Sequence, residues 1–211
     1  MLFRSHRHVR DICRLIAERG YSLNIWAYAR PDTVADDLPE LMKEAGINWL
    51  ALGIEAAGAG VRRDVVKEFS TDQIRATVAK LRASGIHVIG NYIFGLPEDT
   101  HETMEATLAL AEELNCEFAN FYTAMAYPGS ALHQLATASG WPLPATWGGY
   151  SQHAVDTLPL PTRYLEAREV LRFRDEAFSR YFRRAGYRDM VRTTFGDAAL
   201  GEVENMTRHV L

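Results

Sequence analysis

The chain has 211 residues, 47% of them hydrophobic and 24% charged, with a formal net charge of -4. That is an ordinary globular composition, and its mild negative balance gives no electrostatic footing for nucleic acid or an acidic membrane surface. No apolar run approaches the roughly 20 residues that span a bilayer, and the first residues carry no secretory pattern, so a cytoplasmic protein is expected.

Up to residue 135 the chain repeats one phrase four times: amphipathic helix, stop residue, apolar strand. Val9, Ile12, Cys13 and Ile16 recur at helical spacing, Gly20 stops that helix, and a strand follows over 23–29. Leu38, Leu41, Met42 and Ala45 mark the second helix, which Gly46 ends ahead of a strand over 49–54. Ser70-Thr71-Asp72-Gln73 is a capping box that opens the third helix. Ile74, Val78 and Leu81 form its stripe, Gly85 ends it, and residues 87–94 form the next strand. The fourth helix opens at Asp99-Thr100-His101-Glu102 and carries Met104, Leu108 and Ala111. Asn115 closes it, since Asn tolerates the left-handed conformation, and a strand over 118–125 follows.

These strands are nearly continuous apolar runs, the pattern of strands buried on both faces in a helix-covered parallel sheet. The fold expected is therefore α/β: a partial barrel of about four parallel strands with covering helices. Four strands do not close a wall, and an open edge is a liability, so strands are expected to be missing on the N-terminal side. From about residue 136 the composition changes. Trp141-Pro142-Leu143-Pro144 and Leu158-Pro159-Leu160-Pro161 bracket an irregular stretch. A long helix is expected over 163–184, its arginines paired with interleaved Glu166, Glu169, Asp175 and Glu176, and a short one over 202–209. The division expected is a barrel part, 1–135, and an irregular linker with a helical extension, 136–211.

The polar breaks that end the strands carry the functional reading, because ligands bind at the carboxyl edge of parallel α/β sheets. They are Gly53-Ile54-Glu55, the stretch Gly90-Asn91-Tyr92-Ile93-Phe94-Gly95-Leu96-Pro97-Glu98, and Tyr127-Pro128-Gly129-Ser130. Cysteine use is the second informative feature. Only Cys13 and Cys116 are present, with no C-x-x-C and no metal spacing, and Cys13 falls on the apolar side of a helix, as a core thiol does. The histidines show no zinc spacing, so no metal ligand is expected.

With Ala29-Arg30-Pro31-Asp32-Thr33 added, these motifs in this order resemble the radical S-adenosylmethionine enzymes, and within them the group carrying a cobalamin-binding domain, with the anaerobic magnesium-protoporphyrin cyclase layout. The resemblance runs from the first helix to about Leu135. It implies that Glu55 touches the ribose or amino acid part of S-adenosylmethionine. It implies that Asn91 to Glu98 match the family stretch Gly-x-Ile-x-Gly-x-x-Glu, with Ile93 and Gly95 holding the adenine. Asn91 stands where the family often has glycine. Arg30 and Tyr28 are placed to meet a carboxylate or the substrate, and Tyr127 lies where a small-molecule substrate enters.

The residues read alone agree in part. Ile93 beside Gly95 offers a flat apolar slot that the backbone approaches closely, and Glu55 is either a ribose-diol acceptor or a strand-end surface acid. Gly95-Leu96-Pro97 is also a tight turn into a helix. Arg30 is either a carboxylate binder or the ion-pair partner of Asp32 or Asp36.

The chain departs from the family at the C-x-x-x-C-x-x-C loop that holds a [4Fe-4S] cluster by thiolates. The family places that loop after the first barrel strand, and this chain reads as starting after the second. The resemblance therefore implies the C-terminal part of a radical enzyme for methyl transfer or for oxidative or cyclising chemistry. Cobalamin would belong to the intact parent, and a missing N-terminal half would be the partner. Alone, the chain is expected to make no radical. The competing reading is a non-catalytic remnant barrel that binds a nucleoside-like ligand or a partner chain.

Overall fold

The computed structural model describes residues 5–58, 69–152 and 154–208. In chain order the elements are α1 (His6–Glu18), β1 (Ile25–Ala29), α2 (Leu38–Glu44), β2 (Ile47–Glu55), α3 (Thr71–Ala83), β3 (His87–Phe94), α4 (His101–Leu114), β4 (Phe118–Thr123), α5 (Ala131–Ser139), α6 (Ala167–Arg183) and α7 (Ala185–Met206). The strands form one four-stranded parallel sheet in the order β1-β2-β3-β4. Helical connections between neighbouring strands impose that direction. Among the described residues no helix is long and apolar enough to cross a membrane.

Two compact units divide the chain: residues 1–54, 68–91 and 113–120, and residues 55–67, 92–112 and 121–211. The break points fall inside β2, β3, β4 and α4. In the first unit α1 and α2 bury Val9, Cys13, Leu38 and Met42, while β2 buries Leu50, Leu52 and Ile54. Arg10 clamps Asp37 with two 2.7 Å hydrogen bonds. The capping box forms as expected: the Ser70 hydroxyl accepts from the Gln73 N–H, and the Gln73 side chain accepts from the Ser70 N–H. Glu117 is a buried strut. One carboxylate oxygen accepts from Arg82 at 2.8 Å and the other from the Val88 N–H at 2.8 Å, and Arg82 also holds the Leu114 and Asn115 carbonyls. Asn115 takes the left-handed conformation, with φ 44°.

The second unit is cored by rings. Phe94 and Phe121 stack with centroids 5.8 Å apart, and Phe173 and Tyr181 of α6 meet them edge-on. The arginines of this segment pair in both ways: Arg180 binds Glu105 of α4 bidentately and Arg184, the C-cap of α6, reaches Glu112, while Arg168–Glu166 and Arg174–Asp175 pair within the segment as expected.

Several element boundaries differ from expectation. The irregular stretch begins later, because α5 occupies 131–139 with a Ser130 cap and a left-handed Gly140 at its end. The long helix starts at Ala167 rather than 163, where Glu166 and Glu169 cap it reciprocally. The short terminal helix is instead α7, a 22-residue element broken at Gly196, with φ 86°. The end of the expected 202–209 segment lies outside the described residues, as does His153.

Candidate functional site

The carboxyl ends of β3 and β4 carry the site. After Phe94 the chain turns at Gly95, whose φ is 79°. Asp99, almost fully buried, fixes that turn. One of its oxygens accepts from the Gly95 and Leu96 N–H groups at 3.0 Å each, and the other accepts from the Thr103 hydroxyl at 2.6 Å. A carboxylate that gathers backbone donors in this way pins a loop against the strand it leaves. The turn in turn places Leu96, which with Ala56 and Ala124 forms a buried apolar cluster that Ile93 packs against.

Beside that cluster lies a cavity of about 430 Å³, walled by Ile93, Leu96, Tyr122, Thr123, Ala124, Met125, Tyr127, Ser130, Leu132 and Gln152. Its volume falls within the usual range for small-molecule sites. Among the described residues no charged side chain lines it. Two of its polar side chains are already engaged: Ser130 accepts from the His133 N–H, and the Gln152 amide pairs with the Thr123 backbone.

The structure brings together some of the expected site residues. Ile93 and Tyr127 line the same cavity. Glu55 is half-buried, ends β2 with φ 67°, and precedes the clustered Ala56. A left-handed non-glycine residue costs on the order of 1–3 kcal/mol and persists where its surroundings enforce it, often at functional sites. Gly95 also packs closely against a helix: a Cβ there would lie 2.4 Å from Val170 of α6.

The remaining three belong to the other compact unit. Arg30 forms the Asp32 pair at 2.7 and 2.9 Å and lies over the Phe69 ring. Asp36 pairs with Lys80 instead. The Asn91 amide oxygen accepts from Asn120 at 2.9 Å. Tyr28 is 62% exposed and stacks on Trp26, 5.4 Å away.

Asp99, Gln152 and Arg174 were not singled out from the sequence as site-forming residues. Asp99 had a readable signal, since an acid four residues after a turn glycine is placed to collect its amides. Gln152 and Arg174 had none, because their partners are distant in sequence.

The family model described as the radical SAM superfamily matches residues 6–111. The chain belongs to that superfamily. It is 30% identical, over 67% of its length, to an uncharacterised methyltransferase of Pyrococcus horikoshii, of which the match covers 31%. It is 34% identical, over 49% of its length, to the anaerobic magnesium-protoporphyrin IX monomethyl ester cyclase of Rubrivivax gelatinosus, of which 19% is covered. Among solved structures it resembles coproporphyrinogen III oxidase of Escherichia coli (TM-score 0.56, 21% identity, 66% of this chain and 33% of that one). It also resembles the radical S-adenosylmethionine methyltransferase TsrM of Kitasatospora setae, solved with cobalamin and a [4Fe-4S] cluster (TM-score 0.51, 19% identity, 56% of this chain and 25% of that one). The chain thus spans about a third or less of these relatives' lengths.

The residues present do not fit a four-iron cluster. Its ligands are thiolates, and the chain has two cysteines, both buried. Burial pushes the Cys13 thiol above its ordinary range, away from the ligating form. No group of three metal-binding side chains occurs among the described residues. The cavity is largely apolar and of small-molecule size.

Proposed function

We propose that this chain is the C-terminal part of the radical domain of a radical S-adenosylmethionine enzyme, and that it supplies the nucleoside-binding wall. The observation that carries this reading is the Ile93–Leu96 cavity at the carboxyl ends of β3 and β4, next to a turn that Asp99 holds rigid. Ile93 and Leu96 would take the faces of the adenine, and Glu55 would accept from the ribose diol. Tyr127 borders the substrate. Bound there, S-adenosylmethionine supplies the adenosyl group used by enzymes of this superfamily.

Two chemistries remain within this reading: methyl transfer, and oxidation or ring closure. The curated relatives include one of each kind by name. The cluster-bearing residues would come from a further N-terminal portion, the partner of this chain in the cytoplasm. Cobalamin, where the intact enzyme carries it, is assigned no residue in this chain. Nothing among the described residues favours the non-catalytic remnant.

Calorimetry with S-adenosylhomocysteine tests the reading. The chain binds it, Ile93→Asp weakens binding at least about tenfold by placing a charge in an apolar wall, and Glu55→Gln weakens it by a smaller factor. Unchanged affinity in Ile93→Asp, with the far-UV circular dichroism intact, overturns the assignment of the cavity.

A further inference from the structure

The cavity continues outward along three aromatic rings. Tyr127 lines the cavity and is 48% exposed. Its ring stacks near that of Tyr150, with centroids 6.2 Å apart and planes 28° apart, and the Tyr150 ring lies 5.9 Å from Trp147. Trp147 is 78% exposed. A large ring left this open forgoes the burial that normally holds it in a fold, and contiguous exposed apolar surface marks a site of interaction.

These rings sit on a fixed support. Gly148–Tyr150 form a 3₁₀ turn in which the Tyr150 N–H donates to the Trp147 carbonyl at 3.2 Å. The Leu158 N–H donates to the Gly149 carbonyl at 2.9 Å, and a Cβ at Gly149 would stand 2.7 Å from Pro144. Only glycine lets that turn lie so close to Pro144. The ledge is therefore preorganised, and a ligand stacking on it orders little that was free.

Charge narrows the ligand class. Among the described residues no charged side chain lines the cavity end, and at the outer end the Asp156 carboxylate lies against Gly148. An anionic ring would meet that carboxylate, whereas an uncharged one is accepted along the whole length. We infer that Tyr127, Tyr150 and Trp147 form a substrate ledge that binds a flat, conjugated ring system carrying no negative charge beside the nucleoside. This inference rests on the reading of the cavity as the nucleoside slot.

The test compares 9-anthracenemethanol with its fully saturated counterpart, which has the same carbon skeleton but no flat face. Equilibrium dialysis with the full chain should show the flat alcohol binding at least about tenfold more tightly. Trp147→Ala should weaken the flat probe about tenfold and Trp147→Phe should restore it, with S-adenosylhomocysteine affinity unchanged in both. Trp147 is too exposed for either change to threaten folding. Equal binding of the two alcohols, or full affinity in Trp147→Ala, overturns the ledge. Absence of S-adenosylhomocysteine binding to the unaltered chain, with the flat probe still bound, overturns the nucleoside slot and leaves a site for flat rings alone.

Discussion

Gly95 satisfies two separate demands at one position. Its φ of 79° lies where a side chain is strained, and the place of its missing Cβ is filled by Val170. Gly95→Ala should therefore cost about 1–2 kcal/mol for the left-handed backbone and about 1–3 kcal/mol for the overlap. Urea denaturation of Gly95→Ala, Val170→Ala and the double variant separates the two, because trimming Val170 relieves only the overlap. A positive coupling that restores about the overlap part is expected, and strict additivity would show that the contact is absent. This residue also marks a limit of the sequence. A glycine at a strand end signals close approach, but the chain does not say to what, and Val170 lies 75 positions on. Ser70 and Asn115 were legible because a capping box and a left-handed Asn are settled within four residues.

The edges of the sheet are finished differently, and β4 shows how. The Gln152 side chain acts as a one-residue strand: its Oε1 accepts from the Thr123 N–H at 3.1 Å and its Nε2 donates to the Thr123 carbonyl at 2.8 Å. Buried Arg174 of α6 holds the Gln152 carbonyl at 3.0 Å, so the strap that walls the cavity is tied to a helix. Gln152→Ala leaves two backbone groups without these partners and should destabilise by about 1–3 kcal/mol. Hydrogen exchange at the Thr123 amide reads this directly. Acceleration there, with the Val88 amide still protected by Glu117, is the expected pattern; unchanged exchange at Thr123 would mean that the amide is shielded by something else. At this scale the order of helices and strands was legible up to β4, since each strand is a short apolar run between stop residues. Two helices were not. α5 buries only Ala136 and so lacks a long stripe, though Ser130 and Gly140 mark its ends. α7 buries Tyr187, Val191 and Leu200, which share no single stripe, and Gly196 interrupts it.

Taken whole, the chain has two cysteines, both buried, and no group of three metal-binding side chains among the described residues. β1 has β2 as its sheet neighbour, paired in parallel, and presents Trp26 and Tyr28 to solvent at 55% and 62% exposure. Cluster assembly requires thiolates that meet at one point. Cys13 and Cys116 are both buried, and the burial that packs Cys13 also keeps its proton on. Anaerobic incubation with iron and sulfide should therefore leave the chain without stoichiometric four-iron absorbance, and both thiols should stay closed to a disulfide reagent until the fold is opened with denaturant. S-adenosylhomocysteine binding measured on the same sample should be unaffected, since the cavity uses neither cysteine. Four irons per chain, lost on Cys13→Ser or Cys116→Ser, would instead mean that the packing opens to bring thiolates together, and the reading of these residues as unfit for a cluster would fall.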